Sequence, residues 1–207
     1  DQAWLEGVVA LAAGGAPVVA VGSELPPAAI RPYLDGVVLD PAPATEGVGG
    51  VLDQLAGLPL ILPAADAAEA VRVLALGASA TLVPEPDPRW AEVLAGLLPE
   101  YEAAVGPGGA LATALRGADL ATVVGLPRGF AGGAVRLPGG WYGAVTLVGS
   151  PDRTLSTTVR DGVVAVTVPA LPTGGLLVAS RPLDPSTPLE QVQVTGERPE
   201  RIVLDHL

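Results

Sequence analysis

Four short runs of branched apolar residues in the first half of the chain constrain its fold more than any other feature. Within each run, Val, Leu, Ile and Ala follow one another with little polar interruption. Strands that are buried on both faces have this pattern, whereas strands with one solvated face alternate apolar and polar residues. The runs therefore predict four strands of a parallel sheet, over residues 17–22, 36–40, 58–63 and 80–83.

Helical segments separate these runs, and strands that alternate with helices at this spacing predict βαβ units. Two helix starts carry capping signals. Asp66 precedes a helix with Glu69 three residues on, and Asp87 precedes a helix that begins with Pro88. A Gly-Pro-Gly-Gly run at 106–109 is a strong helix breaker. The predicted helices cover residues 7–13, 27–33, 48–55, 67–76 and 88–105.

Helical periodicity disappears after residue 109, and short strands separated by turn residues replace it. Asp161-Gly162 between two β-rich runs is a strong signal for a two-residue hairpin. Several short strands of this kind predict an antiparallel β-sandwich. The predicted strands cover residues 110–115, 120–125, 134–137, 144–148, 154–160, 163–168 and 175–180, with 192–195 and 202–204 in a Pro-rich polar tail.

Composition excludes several kinds of chemistry. The 207 residues carry a formal net charge of −11, which disfavours binding to nucleic acids and anionic membranes. The sequence has no Cys and no Lys, which removes thiol nucleophiles, Cys-based metal sites and the Walker lysine. His206 is the single histidine, which argues against a catalytic triad or a His-based metal centre. No apolar run approaches the roughly 20 residues that span a bilayer. We expect neither a cofactor nor a metal.

Several segments together resemble the C-terminal half of an α-amylase-like glycoside hydrolase. Residues 18–24 (VVAVGSE) are similar to the family's fifth barrel strand, and residues 60–66 (LILPAAD) are similar to its seventh. Residues 68–86 are similar to the next helix and the eighth strand, and residues 87–111 to the last barrel helix. The later strands look like the family's C-terminal β domain.

The chain departs from the family pattern at three places. Ala65 stands where the family has the His of an Asn-His-Asp type motif, and Pro84-Glu85 replaces a Gly-Glu pair. Nothing before Pro17 supplies the Gly-x-Arg-x-Asp setting in which the family carries its nucleophile. The sequence motifs of the family are therefore altered or incomplete in this chain.

The resemblance implies an α/β unit followed by an all-β unit. We predict a partial (β/α)8-type barrel of about four βα units over residues 1–106, a C-terminal antiparallel β-sandwich over 107–183, and a Pro-rich polar tail over 184–207. Four such units cannot close a barrel, so we expect a missing N-terminal half or a partner chain to complete it. The first residue, Asp1 rather than Met, agrees with this expectation.

The resemblance also implies two catalytic residues. Glu24, after the first strand, would be the general acid/base of glycosidic bond cleavage, and Asp66 would stabilise developing charge on the sugar. The nucleophile would come from outside this chain. Both residues also have simpler interpretations, since Glu24 fits a surface loop and Asp66 fits a helix N-cap.

Other features have simple structural interpretations. Asp40 is interpreted as a loop anchor and Asp87 as a helix cap. The glycine-rich residues 47–50 lack both phosphate-binding fingerprints, so a loop is favoured. Trp141-Tyr142 could stack on a sugar, although core or turn packing is favoured for this pair.

The leading hypothesis is an α-amylase-like carbohydrate-active protein, a hydrolase or transglycosylase of α-glucans, of which this chain carries the C-terminal half. Its partner would be an α-glucan or another carbohydrate. The alternative is a non-catalytic relative that serves as a structural module or binds carbohydrate or protein. A third interpretation is an unrelated flavodoxin-like or half-barrel domain fused to a sandwich, which strand order would distinguish.

Overall fold

The computed structural model describes residues 2–15, 17–84, 87–117, 121–137, 144–149, 151–161, 163–180, 192–195 and 199–202. An α/β unit comes first. Its strands form a parallel sheet in the order of the chain, β1 (Val19–Gly22), β2 (Gly36–Leu39), β3 (Leu60–Pro63) and β4 (Ala80–Leu82). The helices are α1 (Gln2–Ala13), α2 (Thr45–Leu55), α3 (Ala67–Ala75) and α4 (Pro88–Leu94), with a 3-10 turn at Arg31–Tyr33. The predicted parallel α/β sheet is confirmed.

One face of the parallel sheet carries the core of the α/β unit. Alternate strand residues of β2 and β3 point to this face, and all four are buried: Val37, Leu39, Leu60 and Leu62. They cluster with Val8 of α1, Val48 and Leu55 of α2, and Val73 of α3. The crossover helices therefore all pack on the same face, as right-handed βαβ connections in sequential order require.

An antiparallel sheet of nine strands follows. Its strands are β5 (Leu97–Gly106), β6 (Gly109–Arg116), β7 (Ala121–Leu126), β8 (Gly133–Arg136), β9 (Ala144–Leu147), β10 (Arg153–Leu155), β11 (Thr157–Arg160), β12 (Val163–Val168) and β13 (Gly175–Ser180). Their order is β10-β9-β13-β7-β6-β5-β8-β12-β11. The edge strands β10 and β11 are separated only by Ser156, so the sheet curls until its two edges meet. The predicted antiparallel β content is confirmed, but the pairing joins all nine strands in one nearly closed sheet rather than in two layers.

The interior of the curled sheet is a second hydrophobic core. Its buried side chains alternate along the strands, with Val124 and Leu126 on β7 and Leu177 and Ala179 on β13. The intervening residues of these two strands are buried as well, because they face helices α3 and α4. Burial on both faces explains why β7 and β13 have no polar alternation in the sequence.

The helix predicted over residues 88–105 is wrong in its second half. Helix α4 ends at Leu94, and the chain continues as strand β5 from Leu97. Gly96 and Pro99 are both unfavourable inside a helix. Strand β5 then pairs with β6 across the 106–109 run, with Gly106 opposite Gly109, so this run is a hairpin turn. The antiparallel sheet thus begins ten residues before residue 107.

Helix α3 joins the two sheets because it is buried on opposite sides. Val73 belongs to the core of the α/β unit, whereas Ala67, Val71 and Ala75 pack on the outer face of β6, β7 and β13. The start of the helix comes so close to β7 that a Cβ atom at Gly125 would lie 2.5 Å from the carbonyl oxygen of Ala67. Only glycine allows this approach.

Two further predictions are confirmed in the β region. β11 and β12 form the predicted hairpin, with Arg160 opposite Val163, and Asp161 has a φ of 51° in the left-handed region that such turns need. The strand predicted over 192–195 is present as β14 (Val192–Thr195). Its antiparallel partner β15 is Pro199–Ile202, and residues 203 and 204 of the predicted second strand lie outside the described residues.

Candidate functional site

A cleft of about 470 Å³ opens where the carboxyl edge of the parallel sheet meets the antiparallel sheet. We call it the seam cleft. Its α/β wall includes Asp66, Val83 and Trp90, and its β wall includes Arg128, Leu147 and Thr173. Ligands of parallel α/β sheets bind at the carboxyl ends of the strands, and the volume falls in the range of small-molecule pockets. The seam cleft is therefore the candidate site.

The polar groups of the α/β wall come from loops that follow strands β3 and β4. Asp66 follows β3 and caps helix α3, while Asp87 follows β4 and caps helix α4. The Asp87 carboxylate accepts a hydrogen bond from the Arg89 backbone N at 2.9 Å through Oδ1. Trp90, one turn into α4, is 6% exposed and packs in the core between α3 and the antiparallel sheet. Both caps predicted from the sequence are confirmed.

Two tight loops of the antiparallel sheet build the opposite wall. One follows β7 and carries Arg128, and the other precedes β13 and carries Thr173. The loops are joined by hydrogen bonds from the Gly129 backbone N to the Pro172 carbonyl and from the Leu171 backbone N to the Phe130 carbonyl. Arg128 lines the cleft, and no described residue forms an ion pair with its guanidinium.

The Asp66 carboxylate holds the two walls together. Its Oδ1 accepts the Glu69 backbone N–H at 3.0 Å, which is the N-cap bond, and its Oδ2 accepts the Arg128 backbone N–H at 2.9 Å. Glu69 completes the cap, because its Oε2 accepts the Ala65 backbone N–H at 2.8 Å while its Oε1 pairs with Arg72. Each carboxylate oxygen of Asp66 therefore already has a backbone partner.

An ion pair also connects the two cleft walls, between helix α4 and the turn after β9. The Arg89 guanidinium lies 2.9 Å from Asp152 Oδ2, and Asp152 Oδ1 accepts the Gly149 backbone N–H at 3.1 Å. Both charged side chains are more than 40% exposed, so water screens this pair. Together with the Asp66 bond, it connects the two cleft walls, which also share the buried core around α3 and α4.

Glu24 lies in a different cleft. It is exposed, follows β1 by two residues, and lines a depression of about 430 Å³ beside β1 and α1 together with Val8, Leu11 and Leu25. Because β1 and β3 are parallel, Glu24 and Asp66 do follow the same edge of the sheet. β2 separates their two strands, and the carboxyls line separate clefts.

The remaining sequence features take varied positions. Asp40 is exposed, and its backbone N donates to the Gly22 carbonyl at 3.0 Å, in keeping with an anchoring role. The 47–50 glycine run lies within α2 rather than in a loop before it, so it forms no phosphate cradle. Glu85, Trp141, Tyr142 and His206 lie outside the described residues.

Arg128 and Thr173 were not predicted as site residues. Each lies next to glycine in a short loop, and Gly174 has a φ of 78° that favours glycine. The sequence shows these turn residues. The position of the two loops opposite Asp66 and Asp87 depends on how the two sheets pack. The arrangement offers hydrogen-bond acceptors and a cation on facing walls, beside apolar surface from Val83 and Leu147.

The part of the chain that the structure describes contains no helix long and apolar enough to cross a membrane. Within the same residues, no group of three or more His, Cys, Asp or Glu side chains is placed to hold a metal ion. No protein-family model matches the sequence, and no curated protein matches it.

Proposed function

We propose that this chain is a non-catalytic, carbohydrate-binding relative of the α-amylase-like glycoside hydrolases, with the sugar held in the seam cleft. The observation that carries the proposal is the Asp66 carboxylate, whose two oxygens accept the backbone N–H groups of Glu69 and Arg128. Both oxygens of this carboxylate are engaged in connecting helix α3 to the antiparallel sheet, which favours a structural role over a catalytic one. The absence of Glu24 from the same cleft also favours binding over bond cleavage, which needs two carboxyls across one glycosidic bond.

Support for the family comes from the order of the strands. Four parallel strands in chain order, with every crossover helix on one face, have the arrangement of consecutive units of a (β/α)8 barrel. A doubly wound sheet of the flavodoxin type would reverse its strand order and carry helices on both faces. We therefore interpret the α/β unit as the later part of such a barrel, and the curled antiparallel sheet as the C-terminal β domain.

The seam cleft has groups that suit a polyhydroxylated ligand. The Arg128 guanidinium can donate two parallel hydrogen bonds to neighbouring hydroxyls, and the Asp87 carboxylate can accept from others. The Thr173 hydroxyl can do both. Val83 and Leu147 offer apolar surface against the C–H face of a sugar ring. Facing acceptors and donors of this kind favour a neutral sugar over a strongly charged ligand.

Calorimetric titration with maltooligosaccharides tests the proposal. We expect the wild-type chain to bind without releasing reducing ends. Arg128→Ala should weaken binding by about tenfold or more, because it removes charge-assisted hydrogen bonds. Arg160→Ala is the matched control, since Arg160 is an exposed arginine of β11 and not part of the cleft wall. Equal affinities for the two variants, or no binding at all, would contradict a carbohydrate site here.

A second candidate function is glycoside hydrolysis by a complete barrel. The observation that favours it is that Glu24 and Asp66 both follow the carboxyl ends of parallel strands, the edge at which barrel enzymes carry their catalytic groups. In that case the nucleophile comes from a segment outside this chain. Release of reducing sugar that Glu24→Gln abolishes, without loss of oligosaccharide binding, would favour this function over the first.

A further inference from the structure

The parallel sheet has a second face that the described residues leave uncovered. Strand register places eight residues on it, which are Gly36 and seven residues with apolar side chains. We call this the open face, and its seven side chains are those of Val19, Val21, Val38, Ile61, Pro63, Ala80 and Leu82. None of them belongs to the three hydrophobic cores of the described chain. Parallel sheets are normally buried on both faces, so an open face of this composition needs a cover.

Exposure is greatest at the two edges of the sheet. Val21 on β1 is 73% exposed and Leu82 on β4 is 54% exposed, whereas Val38 and Ile61 between them are half-buried by their neighbours. Each of the two edge strands pairs with only one strand among the described residues. The cover must therefore protect an apolar surface and supply a hydrogen-bonding partner to both edges.

We propose that a second copy of this chain covers the open face, so that two parallel sheets of four strands close into one barrel of eight. The inference rests on the partial-barrel interpretation given under the proposed function, and a second copy takes the place of the earlier strands of the barrel. Eight strands are the number at which a parallel barrel closes around an interior filled by its own side chains. A two-fold axis along the barrel places β4 of each copy beside β1 of the other, with all strands parallel. Both edges are then paired at once.

The composition of the open face fits this occupant. Its seven side chains include Val, Ile and Leu, which dominate the interior of such barrels, and no charged group that a second copy would bury. Helices α1, α2 and α3 pack on the opposite face, so they would remain on the outside of the assembly. The formal charge of −11 on each copy opposes association, but physiological salt screens it over about 8 Å.

Sedimentation equilibrium of the whole chain provides the test. We expect a mass of about 41 kDa, twice the 20.6 kDa of one chain. Val21→Glu and Leu82→Glu, which place a charge on the open face at opposite edges, should each give a folded monomer. The matched controls are Val105→Glu and Val163→Glu, because these valines of the antiparallel sheet are 52% and 44% exposed. Both controls should remain dimers.

Two results would overturn the proposal. One is a wild-type chain that stays monomeric at about 100 μM, well above the dissociation constants of specific dimers. The other is a dimer that neither open-face substitution dissociates, with circular dichroism showing that both variants are folded. Sugar binding is measured separately. Arg128→Ala should lose sugar affinity as a dimer, and Val21→Glu should bind sugar as a monomer, so failure of one proposal is distinguishable from failure of the other.

Discussion

The Oδ2 atom of Asp66 accepts the backbone N–H of Arg128 at 2.9 Å, across 62 residues of chain. Asp66 begins helix α3 of the parallel α/β unit, and Arg128 lies in the loop after β7 of the antiparallel sheet. One carboxylate therefore caps a helix and fastens that helix to the second sheet. The sequence predicts Asp66 only as a helix cap. Its second hydrogen bond also makes it part of the contact between the two walls of the seam cleft.

Asp66→Ala should lower the free energy of unfolding by about 2 kcal/mol, because both the N-cap bond and the bond to Arg128 are lost. Asp66→Asn keeps one acceptor oxygen and should lose about half as much. Urea unfolding followed by circular dichroism measures the difference. The comparison variant is Asp87→Ala, which removes a cap bond without a second tie. An Asp66→Ala effect no larger than that of Asp87→Ala would contradict the double role.

Gly125→Ala should destabilise the protein by about 3 kcal/mol or more, since the new Cβ meets backbone atoms of Ala67 and Ala68 at 2.5 Å. Backbone cannot move aside as a flexible side chain can. Gly49→Ala is the control, because Gly49 is exposed within α2 with open space around its Cβ position. That substitution should stabilise the helix by about 0.5–1 kcal/mol. Thermal unfolding of the two variants should shift in opposite directions.

Thr122→Val should leave stability unchanged or raise it by about 1 kcal/mol. Thr122 Oγ1 is buried and has no hydrogen-bond partner among the described residues, so its replacement by a methyl group removes a desolvated polar atom. Val124→Thr makes the reverse change two residues along β7 and should cost about 1–3 kcal/mol. A loss of stability in Thr122→Val, measured by chemical denaturation, would reveal a partner for this hydroxyl.

The Arg89–Asp152 pair should contribute no more than about 1 kcal/mol, because both side chains are more than 40% exposed and water screens the pair. A double-mutant cycle with Arg89→Ala and Asp152→Ala isolates the pairwise energy. Its value should fall further at high salt. A coupling well above 1 kcal/mol that persists in salt would mean that the pair is shielded from water.

Local signals account for what the sequence predicted correctly. The parallel strands follow from the apolar runs, the starts of α3 and α4 from Asp66 and Asp87, and the β11–β12 hairpin from Asp161-Gly162. The helix predicted over 88–105 ends at Leu94, because Gly96 and Pro99 are unfavourable inside a helix. The hairpin turn at 106–109 and the pairing of β5 with β6 then favour a strand over the remaining residues.

The sequence predicted the strands that Glu24 and Asp66 follow, but not whether the two side chains lie in one cleft. Both carboxylates follow parallel strands as predicted, yet they line different clefts. The catalytic roles of Glu24 and Asp66 stay predictions. The opposite wall of the seam cleft could not be predicted, since Arg128 and Thr173 have no signal apart from adjacent turn glycines.

The sequence by itself determined the local elements and the change from α/β to all-β structure, because caps, turns and hydrophobic periodicity act over a few residues. Only the tertiary structure decided which faces meet. Helix α3 can approach β7 closely because Gly125 lacks a side chain, and the edge strands β10 and β11 of the curled sheet are joined through Ser156. Contacts of this kind join residues far apart in the chain, and their energy depends on packing geometry rather than on local composition.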